Sequence, residues 1–226
     1  LVHPGRHVTW YGDDVQRSRA IAILNALLGS WGRRGGIFVP TQMPVPKYPV
    51  PDYAVKPKAT QDHPDGVVYP FAEEVLSHGV CDATVPGRLG GPGCPVKAWI
   101  VYGSNLLQSL PQRAKVLEAI QKLDLLVAID VLPAEITGWA DVVLPESTYL
   151  ERWDDVAPVP WSEPFLAIRQ EVVPPMYESK PGWWIAKELG KRLGLRGYFP
   201  WEGGEQLVTE RLKAGGDDVE KLKTQG

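Results

Sequence analysis

Unbroken apolar stretches dominate the second half of the chain: AWIVY at residues 98–102, LLVAI at 125–129 and DVVL at 141–144, the last closed by Pro145. Short apolar runs without polar alternation are typical of parallel strands covered on both faces. Between the first two, residues 111–122 place Val116, Leu117, Ile120 and Leu123 at helical spacing, so strand, helix and strand form one crossover unit. A fourth strand is expected at 165–169, and helices at 183–193 and about 205–213. The pattern predicts an α/β fold built on an open, doubly wound, mostly parallel sheet.

The first half reads differently. Residues 10–36, WYGDDVQRSRAIAILNALLGSWGRRGG, open with Asp13 and Gln16 in capping-box spacing and reach Gly29 where a helix stops. This predicts a helix of about four turns. It is apolar almost all round from Ala20 to Leu28, so cover on several sides is expected. From Pro40 to Pro95 the prolines at 40, 44, 46, 49, 51, 57 and 64 break regular structure, apart from a short helix expected at 71–78. Compact domains rarely carry more than about 15 residues of structureless loop. The anchors Tyr48, Tyr53, Tyr69 and Phe71 favour a strap laid over other surfaces, with disorder as the alternative. The organisation expected is a helical piece of a preceding α/β domain at 1–39, a strap at 40–95 and a nucleotide-binding domain at 96–226. No internal repeat is visible.

Charge and composition narrow the function only slightly. A net charge of -3 over 226 residues gives no electrostatic reason to expect nucleic-acid binding. No run approaches the roughly 18 apolar residues needed to cross a bilayer, and the first residues lack a signal-peptide pattern. Cys81 and Cys94 are the only cysteines, far from C-x-x-C spacing, and read as structural thiols, with a disulfide between them as the alternative. His63 and His78 stand alone. The nine tryptophans are expected to fill core and interdomain surfaces.

In an open α/β sheet, ligands bind beyond the carboxyl ends of the strands. Gly103, Ser104 and Asn105 follow the first strand, where a glycine turn and short polar side chains form either a phosphate or sugar cradle or an ordinary turn. Asp130 follows the second strand. Its carboxylate is placed to accept from a ribose hydroxyl or a guanine edge, or merely to cap its loop. Glu146 follows the third, with Glu151 and Arg152 on the exit; Arg152 suits a pyrophosphate or purine, or an ion pair with a nearby acid. His3, Arg6 and His7 form a small basic cluster that would attract an anionic substrate, unless it is a frayed, solvated terminus.

Residues 129–152, IDVLPAEITGWADVVLPESTYLER, resemble the molybdopterin oxidoreductase family of the DMSO reductase superfamily, and YGSNLLQSLP at 102–111 resembles that family's G-x-N-P-x-x-S-x-P turn, with Leu106 at the usual proline. Residues 11–36 and 177–195 are similar to its thiosulfate and polysulfide reductase branch. The resemblance implies a Rossmann-like lobe binding one tail of a bis-molybdopterin guanine dinucleotide with molybdenum. Asn105 then matches a cofactor-binding asparagine, with Gly103 and Ser104 beside it, and Asp130 matches the acid that reads guanine. Arg152 matches a basic residue against the nucleotide, while Gly182 stands where other members carry an aspartate. No residue here matches the family's iron–sulfur cysteines or molybdenum ligand. A 4Fe-4S cluster is therefore expected in an N-terminal part outside this chain, and the chain is expected to be an internal fragment, inactive alone, with no metal ligand and Arg6 as its sole substrate-pocket candidate. The intact enzyme is expected to act on a small sulfur anion on the extracytoplasmic side, partnered by an iron–sulfur electron-transfer subunit with a membrane anchor subunit. Formate, nitrate or arsenite as substrate, and a non-catalytic nucleotide-binding or assembly module, are the alternatives.

Overall fold

The computed structural model describes residues 1–3, 5, 14–45, 79–85 and 95–225. Asp13, Arg6, His7, His63, His78 and Cys94, the helix expected at 71–78 and nearly all of the strap lie outside the described residues. The chain divides into two compact units, one of Leu1–Lys47, Asp155–Ile168 and Val208–Gly226, the other of Tyr48–Asp154 and Arg169–Leu207.

The second unit contains the sheet. Strands β1 (Ala98–Tyr102), β2 (Leu125–Asp130) and β3 (Val142–Pro145) pair in that order, all parallel. Trp99 lies opposite Leu126, Tyr102 opposite Ile129, and Asp130 opposite Pro145. Helix α1 (Asp14–Leu27) belongs to the first unit, while α2 (Gly79–Thr84), α3 (Leu106–Ser109), α4 (Arg113–Ile120) and α5 (Gly182–Arg192) belong to the unit of the sheet. Trp99, Val101 and Leu126 are buried with Cys81, Leu107, Val116, Ala119, Ile120 and Ile136 in one core. Burying a side chain the size of Leu126 contributes about 1.5–3 kcal/mol. The indole of Trp99 donates to Thr84 Oγ1 (3.0 Å), which donates onward to the Val80 carbonyl (2.8 Å), so the core's largest ring leaves no unpaired donor.

Cover over the sheet is uneven: Ile129 is buried on the face where Ile100 is exposed. Ile100 is 61% exposed and Val142 42%, although both strands read as apolar throughout. The parallel α/β fold expected from the sequence is present, and within it β1 alternates buried and exposed positions. The strand expected at 165–169 forms, as β5 (Phe165–Arg169), but it pairs with β4 (Asp154–Val159) in a separate two-stranded sheet. Only residues 160–164 separate these strands, and a parallel connection needs a dozen or more, so the pair is a hairpin. The position beside β3 is taken instead by Lys180, which forms a parallel bridge with Glu146.

In the first unit, α1 runs to Leu27 and stops at Gly29 (φ +59), with Ser30 N–H donating to the Asn25 carbonyl at 2.9 Å. That is a left-handed glycine stop. Cover on several sides is not observed: Leu27 is 80% exposed and Leu28 56%. The buried residue of this helix is polar. Asn25 donates to the carbonyls of Val2 (2.8 Å) and Ile21 (3.0 Å) and accepts from Val2 N–H (2.9 Å), so it exchanges a two-way backbone pairing with the first residues. Helices α6 (Gly204–Ala214) and α7 (Val219–Gln225) follow α5, the latter not foreseen in the sequence.

Candidate functional site

The carboxyl ends of β1, β2 and β3 bring together most of the residues singled out in the sequence. Gly103 has φ +56, the left-handed region that glycine enters without strain, and nothing lies within 4 Å of where its side chain would begin. Its N–H donates to the Ile129 carbonyl (2.9 Å), which ties the β1 exit to the residue preceding Asp130. Ser104 and Asn105 follow, half-buried, at the start of α3. Asn105 does not cap that helix through its side chain. Its amide instead hydrogen-bonds Glu135, whose carboxyl is held below the usual range first by Arg113 (2.8 Å) and then by Gln108 and Asn105. Asn105 Oδ1 is shut from solvent and accepts no hydrogen bond.

Asp130 uses one oxygen to cap its own loop: Oδ1 accepts from Val131 N–H (2.7 Å) and more distantly from Leu132 N–H (3.4 Å). Its second oxygen has no donor among the described residues. Two acceptors thus stand without donors at neighbouring strand ends, beside a glycine turn that admits close approach. Of the two, only Asn105 Oδ1 is buried, and an unpaired buried oxygen is uncommon and costly. Both are acceptors, so a ligand group presenting N–H donors, such as a guanine edge, has the complementary chemistry.

Arg152 is placed differently from a free cation. Its guanidinium meets Glu146 (2.6 Å), Asp154 (2.7 Å) and the Ser147 carbonyl (2.7 Å), and its side chain is only 18% exposed. Burial works against its charge, and the Asp154 hydrogen bond with the Glu146 and Asp154 charges outweighs that and raises its pKa. Arg169 pairs with the far side of Asp154 and lies 5.3 Å from the centre of the Tyr149 ring. Glu146, 5% exposed at its side chain, also accepts the Tyr102 hydroxyl. The Tyr102 pKa is pushed up to about 12, first by burial and then by the bond to, and charge of, Glu146.

This network was only partly visible beforehand. Glu146 and Asp154 flank Arg152 at six residues before and two after, a local charge spacing that supplied the signal for an ion pair. Tyr102 and Gly182 carried no such signal, because their meeting depends on the sheet register and the placement of α5. A Cβ at Gly182 would lie 2.7 Å from Glu146 Oε1 and closer still to the Tyr102 hydroxyl, so a side chain there would have to push those two side-chain ends aside. Arg6, at the chain's start, lies outside the described residues, and His3 Nδ1 accepts from Gly5 N–H (3.0 Å). Among the described residues no three His, Cys, Asp or Glu side chains gather as a metal-binding group.

A family model described as Molybdopterin oxidoreductase matches residues 1–192. The chain is 34% identical over 236 residues to the thiosulfate reductase molybdopterin-containing subunit PhsA of Salmonella typhimurium, covering 100% of this chain and 31% of that protein. It is 25% identical over 244 residues to a sulfite dehydrogenase of Allochromatium vinosum, covering 90% and 25%. Among solved structures, acetylene hydratase from Pelobacter acetylenicus superimposes with a TM-score of 0.54 at 31% identity, covering 64% of this chain and 19% of that one. The chain therefore spans between 19% and 31% of the length of these three proteins.

Proposed function

Because the chain belongs to the molybdopterin oxidoreductase family, we propose that its strand-end face holds one nucleotide tail of a molybdopterin guanine dinucleotide within a larger catalytic subunit. The observation that carries this reading is the pair of donor-less oxygens, Asn105 Oδ1 and Asp130 Oδ2, at adjacent carboxyl ends of a parallel sheet. Gly103 and Ser104 supply the turn that lets the ligand approach the backbone. Arg152, already committed to three acceptors, acts as a positioning residue that holds Glu146 and the β3 exit in shape. When bound, the molybdenum–pterin group supplies two-electron redox chemistry; the residues of this chain bind and orient its tail.

The substrate proposed for the whole enzyme is thiosulfate or polysulfide, supported by likeness along the entire chain to the thiosulfate reductase protein. The proposed partners are an iron–sulfur electron-transfer subunit with a membrane anchor, and a 4Fe-4S cluster is proposed elsewhere in the same catalytic subunit. A second reading, another substrate on the same fold, is favoured by the similarity to a sulfite dehydrogenase, since residues holding a cofactor tail do not choose what meets the metal.

The test is Asp130→Asn in the full-length holoenzyme. Asparagine retains Oδ1 for the Val131 and Leu132 amides, so the loop and the apoprotein's stability stay unchanged. It replaces the other acceptor by a donor and weakens nucleotide-tail binding by about 1.5–3 kcal/mol, the range for hydrogen bonds to a charged group. Full pterin dinucleotide content after prolonged dialysis would show that Asp130 is a loop cap alone.

A further inference from the structure

A cation at the carboxyl edge of the sheet would favour a nucleotide's phosphates, and Arg152 already spends its Nε and Nη1 on Glu146, Asp154 and the Ser147 carbonyl. We propose that Lys180 is the phosphate-binding residue of this edge, meeting the diphosphate of a nucleotide whose base is met at Asp130. The proposal rests on the preceding reading that the edge holds a nucleotide tail.

Lys180 is fixed at the edge by its backbone. Its N–H donates to the Pro145 carbonyl (3.1 Å) and its carbonyl accepts from Ser147 N–H (3.1 Å), so it occupies the fourth position of the sheet, next to β3. Along the edge Asp130 lies opposite Pro145, and Glu146 and Lys180 pair one residue further on. Strands in a sheet are about 4.8 Å apart, so Asp130 and Lys180, separated by the β3 position, stand about 10 Å apart across it. The base edge and the diphosphate of one nucleotide are separated by a comparable span.

The side chain is available as well as placed. Lys180 is exposed and forms no ion pair among the described residues, whereas Lys97, Arg113, Lys115, Arg152, Arg169 and Lys187 in the same unit all do. Its ammonium lies 5.7 Å from the centre of the Trp184 ring, a contact that orients the chain without neutralising its charge. The start of α5 is not a competing anion site, since the Glu146 carboxylate already approaches Gly182 there. Register puts Lys180 on the same sheet face as Glu146, and Asp130 on the opposite one. A ligand lying across the edge thus has a carboxylate on one flank and an ammonium on the other.

The experiment is calorimetric titration of the chain with GDP, guanosine and inorganic phosphate at one fixed ionic strength, for the wild type and for Lys180→Ala, Lys180→Arg and Asp130→Asn. Lys180→Ala should weaken GDP about tenfold, the low end for a hydrogen bond to a charged group, and leave guanosine unchanged. Lys180→Arg should restore most of the GDP affinity, and guanosine binding unchanged in Lys180→Ala separates a phosphate contact from a structural role of the Trp184 contact. Asp130→Asn should weaken GDP and guanosine alike. Equal GDP affinity in the wild type and Lys180→Ala, with guanosine still sensitive to Asp130→Asn, would overturn the role of Lys180 and leave the reading of the edge standing. Absence of guanosine and GDP binding in the wild type would overturn both.

Discussion

Replacing Arg152 by methionine tests whether the site's geometry depends on one buried cation. Methionine keeps the length of the side chain and removes two ion pairs and the bond to the Ser147 carbonyl. The loss is unequal between the two acids. Asp154 retains Arg169, while Glu146, 5% exposed, retains only the Tyr102 hydroxyl and becomes a buried carboxylate without a cation. Breaking a buried pair on one side costs about 3–5 kcal/mol, and the partial exposure of Arg152 places the expected loss near 3 kcal/mol. At roughly 2–4 °C per kcal/mol for a chain of this size, the midpoint should fall by about 6–12 °C. Urea denaturation followed by tryptophan fluorescence reads the same loss as a lower midpoint concentration. Adding Glu146→Gln removes the stranded charge, so the double variant should be more stable than Arg152→Met alone. A single-variant loss under about 1 kcal/mol, the value of an exposed pair, would refute the reasoning.

Two further outcomes follow from the same cluster. Spectroscopic titration should find one of the eight tyrosines ionising near pH 12 and Tyr102→Phe should delete that step; because the folded state raises this pKa from 10.0, the stabilisation is whole below pH 10 and fades as pH rises through about 12, and a chain whose tyrosines all titrate together near 10 would contradict it. Gly182→Asp should destabilise the fold by at least about 1 kcal/mol through overpacking against Tyr102 and Glu146, and Tyr102→Ala in the same chain should recover part of the loss; an unperturbed unfolding midpoint for Gly182→Asp alone would show that the approach is not tight.

The parallel sheet was legible because its evidence is local: AWIVY, LLVAI and DVVL are apolar runs bounded by turn residues, and a helical pattern connects the first two. The strand-end residues Gly103, Asn105 and Asp130 were legible for the same reason, since their position follows from where each run stops. What covers a strand is not local. Ile100 reads like Val101, yet one is exposed and the other buried, because the sequence does not say on which face helices lie. The pairing of Phe165–Arg169 was misjudged because its partner, DDVAPV at 154–159, alternates too weakly to read as a strand. Arg152 carried two readings at once, and the structure shows its ion pairs with Glu146 and Asp154, whose partners the sequence alone did not fix.

The space above Gly182 also constrains which residues can stand at the start of α5. The Tyr102 hydroxyl and the Glu146 carboxylate fill the volume that any side chain at 182 must enter. A side chain at 182 and the tyrosine–glutamate contact therefore compete for one volume, so any residue larger than glycine must displace the Tyr102 hydroxyl or the Glu146 carboxylate. A polar contact at one strand end thus sets how large the first residue of α5 can be without cost.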